Sequence, residues 1–459
     1  MAIFNPTKLM PIPAELSVVP THGESWRQKW DNWWGGATIA SPTMDMVAPA
    51  AHALRTVRRL SNDLNQLYEY YCLETEDVRA WARRVLATPE SEPVILDASG
   101  TAAILTASRI LSYVAVDERR SFWTLTTSEG GSLVPATLKG KDPNELEKVM
   151  FQPVTSLFYE PEPVLPYPVG VQPSMRMIVI SGKTNSQLVE EIKAAVEMNE
   201  GPGLIMLPHV TKTGRVLPIR EVGQYVSALR AHGRQVFYIV DDIQGIGRMP
   251  IESVANPTEF CDAYVFGSSK ALGGILIGSA VVMKAQLLER FFQCLDNGSF
   301  SIERPSFSHF QFGPSWQERL ADELIKPGAL SLPELISMRA GLYNLHIRGL
   351  GNTFLERRQS QLALVRALRE QVVEALKQVA GLRVTESTPD RPLVPSIVCF
   401  NIVKERWTPG ACKRALQDGY PVVTPSAPID RFARLDIPEY RPLPSLNVLV
   451  DKLKKSLGS

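Results

Sequence analysis

The sequence has little cysteine. Its five cysteines (Cys72, Cys261, Cys294, Cys399 and Cys412) are scattered, odd in number and without a C-x-x-C pair. That pattern argues against a disulfide framework and against a zinc site. The six histidines are equally dispersed, and no H-E-x-x-H occurs, so no metal is expected. Net charge is nearly absent: 49 Lys and Arg against 48 Asp and Glu leave +1. Neither nucleic acid nor an anionic membrane is therefore an expected partner. No apolar run approaches the length that spans a bilayer. The start, MAIFNPTKLMPIPAELSVVP, is broken by prolines and lacks the basic-then-apolar pattern of a secretory signal. Cytoplasm is the expected compartment.

Apolar residues make up 44% of the chain and charged residues 21%, as in an ordinary soluble globular protein. A chain of 459 residues suggests two or three domains. Residues 1–45 form an irregular arm with Trp30, Trp33 and Trp34. An exposed cluster of this kind is costly in water, so the arm is expected to pack on something, such as a second subunit. Residues 46–88 repeat apolar positions at helical spacing.

From about residue 93 the pattern changes. PVILDASG, SFWTLTTSEGG, MRMIVISG, GPGLIMLPHV, QVFYIVDD, AYVFGSS and GSAVVMK are apolar runs of strand length. Helical stretches such as TAAILTASRILSYV, SQLVEEIKAAVEM and IREVGQYVSALRAHG lie between several of them. This alternation predicts an α/β domain over 46–300, with a mostly parallel, doubly wound sheet covered on both faces. Residues 300–330 read as loop, and Ser331 toward Val379 as one long helical stretch. VPSIVCFNIV, YPVVTP, FARLDIP and SLNVLVDKLKKSL then suggest short strands and a closing helix. The remainder, 301–459, is thus expected to be a linker, a long helix and a smaller α+β domain.

Ligands of open parallel sheets bind beyond the carboxyl ends of the strands. Four such ends carry polar or glycine-rich residues. In LDASGTAAIL, Gly100 permits a tight turn, and Ser99 and Thr101 open a helix whose free N–H groups can cradle a phosphate. In VDDIQG, Asp241 ends an apolar strand and Gln244 follows. Such an acid can be a helix cap, a metal ligand or the anionic partner of a pyridinium nitrogen. In FGSSKALGG, Lys270 sits among Gly267, Ser268, Ser269, Gly273 and Gly274. A lysine in a confined pocket loses its charge more easily and can form a Schiff base, whereas most lysines are merely exposed. In LPHVTKTGRVLPI, Thr211, Thr213 and Gly214 read as a turn.

Taken together, in this order, the runs VDDIQGIGRMPI and CDAYVFGSSKAL resemble V-D-x-x-Q-x-x-G-x-x-P-I and D-x-x-x-x-S-x-K-x-L. These belong to the class V aminotransferase and cysteine desulfurase group, fold-type I enzymes dependent on pyridoxal 5′-phosphate (PLP). The resemblance covers about residues 40–459. It implies that Lys270 carries the cofactor as a Schiff base and that Asp241 pairs with its pyridine nitrogen. Gln244 would hydrogen-bond its phenolic oxygen. Ser99, Gly100, Thr101, Ser268 and Ser269 become candidates for phosphate contacts. KPGALSLPEL resembles the loop by which a neighbouring subunit reaches the phosphate. The usual Gly-Thr there reads Gly328-Ala329, without the hydroxyl. A homodimer with shared active sites is therefore implied. ARLDIPEY resembles the R-x-S-x-x-x-Y ending, which puts Arg434 where a substrate α-carboxylate is bound, with a structural salt bridge as the alternative. Gly35, Gly36 and the 300–330 loop are expected to line the pocket, Gly36 on the substrate side.

The departures bear on the reaction. VVTPSAPIDRFAR lacks the nucleophilic cysteine that the desulfurase branch carries before the arginine, and Cys412 lies in a helical context upstream. Where that branch has Glu-His at the ring-stacking strand end, the chain reads Glu129-Gly130. Trp123, another aromatic, or an open face would then replace the stacking histidine. Gly-Ser-Ser-Lys is closer to the serine–pyruvate and alanine–glyoxylate aminotransferases, while Gln244 leans to the other branch. The expected function is a PLP-dependent aminotransferase acting on an amino acid. A lyase or carbon–carbon bond-forming enzyme on the same scaffold is one rival, and a non-catalytic fold relative with a regulatory or scaffold role is another.

Overall fold

A computed structural model describes residues 44–60, 62–115, 122–127, 174–268, 270, 272, 278–296, 331–402, 432–437 and 445–457. Helices α1 (Met44–Leu60) and α2 (Leu64–Leu86) come first. Asp63 caps α2, its carboxylate accepting from the Asn65 and Gln66 N–H groups. There follow β1 (Val94–Asp97), α3 (Gly100–Ala115), β2 (Trp123–Thr127), β3 (Ser174–Ile178) and α4 (Asn185–Glu197). Next are β4 (Gly203–Pro208), α5 (Ile219–Ala231), β5 (Val236–Asp241) and the single turn α6 (Ile251–Val254). Then come β6 (Ala263–Gly267), β7 (Ser279–Met283) and α7 (Ala285–Asp296).

The seven strands form one sheet in the order β1-β7-β6-β5-β4-β2-β3. Strands β3, β2, β4, β5 and β6 run parallel, while β7 runs antiparallel to both neighbours. Side chains alternate across it as a pleated sheet requires. In β5, Tyr238 and Val240 enter one core, shared with α5 and α2. Phe237 and Ile239 enter the other, shared with α3 and α7. Both faces are dry, which explains the near-continuous apolar runs.

The stretch from Ser331 is two helices rather than one: α8 (Leu332–Ile347) and α9 (Phe354–Lys377). Gly349 and Gly351, at φ of +98° and +144°, turn the chain between them in a region that side-chain-bearing residues avoid. Helix α8 packs on α1 and α2, and its Leu335, Met338 and Leu342 join the first core. The buried Arg339 reaches Glu74 of α2 at 2.7 Å.

Helix α9 and the closing α10 (Leu446–Leu457) cover a second, antiparallel sheet. It consists of β8 (Leu382–Val384), β9 (Ile397–Ile402) and β10 (Phe432–Asp436), in the order β10-β9-β8. The turn after β4 docks against this sheet. Gly214 has φ +83°, and a Cβ there would lie 2.8 Å from Cβ of Ile397. Among the described residues no helix is long and apolar enough to cross a membrane.

Trp123 is corrected by this register. It starts β2, opposite Gly203 at the start of β4, and packs so closely there that a Gly203 Cβ would lie 1.9 Å from the indole. Its Nε1 donates to the Gly201 carbonyl at 3.1 Å. The ring is thus buried at the amino end of its strand and cannot stack on a ligand at the carboxyl ends.

Candidate active site

The carboxyl ends of β1, β5 and β6 converge on Ile243. A Cβ on Gly100, at the start of α3, would lie 2.6 Å from Ile243 Cδ1, and one on Gly267, at the end of β6, would lie 3.1 Å from it. Two glycines and one isoleucine therefore form the floor between the helix start and the lysine loop. Ser99 caps α3, its Oγ accepting from Ala102 N–H at 3.2 Å. Ser99, Gly100 and Thr101 are half-buried.

The two acids at the end of β5 part company. Asp241 continues the odd-numbered face of β5, the face against α3. One of its oxygens, Oδ1, accepts from Ile243 N–H at 3.1 Å. Asp242 points into the other layer and is fully buried. His209 Nδ1 lies 2.8 Å from its Oδ1, and the Tyr264 hydroxyl donates to its Oδ2. Asp242 is a strut under the site, and Asp241 is on the side of the helix start.

Lys270 is half-buried. Burial lowers its amine, the Arg434 and Arg248 guanidiniums lower it further, and Asp436 and Asp241 pull the other way. The balance leaves it at about 8 against an ordinary 10.5. A base lowered in the folded state binds fewer protons there than in the unfolded chain. This proton therefore makes stability rise with pH from about 8 to 10.5. For the cofactor-free protein, the rate of condensation with an aldehyde should rise with pH and level off just above 8. An ordinary lysine would still be gaining at 10, and a rate that climbs to pH 10 would contradict this assignment.

Gln244 lies between two arginines. Its Oε1 accepts from Arg248 at 3.2 Å and from Arg434 at 3.1 Å. These bonds fix which end of the amide is oxygen, so its NH2 end is the one turned away from the guanidiniums. Ser268 is fully buried, and its Oγ donates to the Gly278 carbonyl while accepting from Gly278 N–H, both at 3.1 Å. That clasp closes the base of the loop carrying Lys270. The buried Arg358 of α9 donates to the Gly247 carbonyl and so braces the loop after Gln244.

Arg434 is buried and engaged within the chain. Its Nε and one terminal nitrogen grip both oxygens of Asp436, at 2.5 and 2.7 Å. The other terminal nitrogen donates to the Lys212 carbonyl at 2.6 Å. Arg248 reaches the same Asp436 at 2.7 Å. The structure therefore gives Arg434 the structural salt bridge that was its alternative reading.

Gly36, Ser269, Gly328 and Ala329 lie outside the described residues, as do the tryptophans of the arm, Glu129, Gly130, Gly273, Gly274 and Cys412. Arg248, Asp436, His209, Tyr264 and Ile243 are site residues that sequence reasoning missed. Only Asp436 left a local signal: an acid stands where R-x-S has serine, two residues along a strand and so on the face of Arg434.

The profile of the aminotransferase class-V family matches residues 176–417, a span that includes both strand-end motifs. The chain belongs to this family. Its members are PLP-dependent fold-type I enzymes. Solved structures agree in fold. The cystine C–S lyase C-DES, in complex with its reaction product cysteine persulfide, superposes with a TM-score of 0.63 at 13% identity, covering 92% of this chain and 97% of that one. An apo cysteine desulfurase from Thermococcus onnurineus NA1 gives 0.59 at 14% identity, over 93% of this chain and 95% of that one. A NifS-like protein gives 0.62 at 14% identity, over 93% and 99%. No curated protein sequence matches.

The residues of this class-V chain fit the cofactor. The two glycines let Ile243 lie close against the start of α3 and the end of β6, where a Cβ would strike it. The acid on the α3 face and the lysine of lowered pKa both lie at this end of the sheet.

Proposed function

We propose that the protein is a PLP-dependent aminotransferase acting on an amino-acid substrate. The observation that carries this reading is the gathering of Lys270, Asp241 and Gln244 at the ends of β5 and β6, beside the start of α3. Bound PLP would supply an electron sink for breaking a bond next to the substrate nitrogen. Lys270 Nζ would hold the cofactor aldehyde and, once released, accept and return a proton. A near-neutral base suits that work. Asp241 would hold a proton on the pyridine nitrogen. Gln244, oriented by the two arginines, would turn its NH2 to the phenolic oxygen. Ser99, Gly100 and Thr101, with the start of α3, would receive the phosphate, with Ser269, Gly328 and Ala329 as further candidates and the buried Ser268 holding the loop in place.

A homodimer with shared sites and a cytoplasmic location belong to the same proposal. The first is supported by the KPGALSLPEL resemblance and the second by the scattered cysteines. Cys399, which faces Arg434 across the β9–β10 ladder, is buried and donates to the Thr213 carbonyl. That supports transamination over a thiolate-based reaction, because a nucleophilic cysteine must be accessible and ionised. The test is transfer of heavy nitrogen from a labelled amino donor to a keto-acid acceptor, followed by mass. Labelled product is expected. Release of the nitrogen as ammonia with an olefinic or cleaved product would replace the aminotransferase by a lyase.

A further inference from the structure

Around Gln244 stand Arg248, Arg434 and the acid they share, Asp436, and all three are buried. Asp436 and Arg434 stand two residues apart on β10 and share a face. The fork of Arg434 is closed on both oxygens of Asp436, which is the geometry it would use to grip a substrate carboxylate. We propose that Asp436 is a specificity-determining residue: a resident carboxylate that keeps Arg434 from substrate α-carboxylates and selects amines whose reacting carbon bears no carboxylate. That class comprises simple primary amines and amino acids that react at their far, terminal amine. The proposal rests on the reading of this site as a PLP-dependent aminotransferase site, and it redraws the substrate class from amino acids in general to amines without an α-carboxylate.

Three observations support it. First, the competitor is tethered. A carboxylate on the same strand is present at an effective concentration that millimolar free substrate does not match. Secondly, Asp436 has nowhere else to go. Arg248 holds it as well, and pulling it from Arg434 would leave charges buried without full pairing. Burial works to raise the Asp436 carboxyl, but the Arg434 and Arg248 guanidiniums outweigh it and hold the group below the ordinary carboxylate range. It therefore stays ionised and paired. Thirdly, the cluster adjoins the site: Arg248 and Arg434 both donate to Gln244 Oε1, three residues after Asp241, and the charges of the cluster are felt at Lys270. What it excludes is thus a substituent close to the reacting carbon.

The test compares phenethylamine with phenylalanine, which differ by the α-carboxylate alone, in spectral titrations of the cofactor-loaded protein. Wild type should bind the amine at least about 10-fold more tightly. Asp436→Ser, which opens Arg434, should tighten phenylalanine by about 10- to 100-fold and reverse the order. The isosteric Asp436→Asn should move the ratio in the same direction if the serine variant folds poorly. A second readout does not depend on the cofactor: calorimetric binding of hydrocinnamate to the full-length, cofactor-free protein. It should be absent in wild type and appear at millimolar concentration in Asp436→Ser. Wild type that already prefers phenylalanine, or that binds hydrocinnamate as well as the variant does, overturns the proposal. Protein that takes up no cofactor but binds hydrocinnamate only as the variant upholds the masking of Arg434 and sinks the reading of the site as PLP-dependent.

Discussion

Lys270→Ala is expected to abolish covalent attachment of the cofactor and to lower turnover by roughly 1,000-fold or more. Borohydride should fix pyridoxyl to the wild-type peptide that contains Lys270 and leave the variant unlabelled. The expectation follows from geometry. Burial and two guanidiniums give this amine a pKa of about 8, so it is both a ready nucleophile and a base matched to neutral pH. The Ser268–Gly278 clasp shuts the loop on which it stands. Loss of the side chain removes a charge that burial disfavours, so the variant should be at least as resistant to urea as wild type. A variant that still retains the cofactor covalently would place the linkage on another lysine.

The second large effect separates neighbours. Asp241→Asn should keep stability within about 1 kcal/mol, because asparagine Oδ1 can still accept from Ile243 N–H. It should nevertheless cost about 100-fold or more in turnover, because a neutral amide no longer favours a proton on the ring nitrogen. Asp242→Ala should do the reverse in kind. It strands the buried His209 ring and the buried Tyr264 hydroxyl, at about 3 kcal/mol or more of unfolding free energy. Urea titrations alongside kcat measurements on the two variants decide it. Equal losses of stability would mean that both acids are struts.

Much of this was legible in local patterns. VFYIVD and AYVFG announce strands that are dry on both faces, and the spacing from Asp241 to Lys270 marks the family. Direction was not legible. The run of β7 is as apolar as its neighbours, yet it lies antiparallel between β1 and β6, because residue type does not encode which way a buried strand runs. The stretch after Ser331 keeps helical periodicity on either side of Gly349 and Gly351, so the break rests on backbone conformation alone. β8, three residues long, is too short for a period to show. Trp123 shows the limit for site residues. An aromatic in a site-forming strand lies at the wrong end of it, and only register reveals which end. His209, Arg248 and Tyr264 come from separate elements, and their partnership with the acids exists only after folding.

The placement of Arg434 and Asp436 on one strand has an electrostatic consequence for how the two sheets meet. Strand β10 brings one positive and one negative charge to the contact with the larger unit, paired with each other. The smaller sheet thus seats against the larger as a neutral dipole and adds no net charge beside Lys270. Desolvating a paired dipole costs far less than desolvating a lone guanidinium. With serine at 436 the same seating would carry an unbalanced cation into a place already holding Arg248, and a bound anion would be needed to settle it.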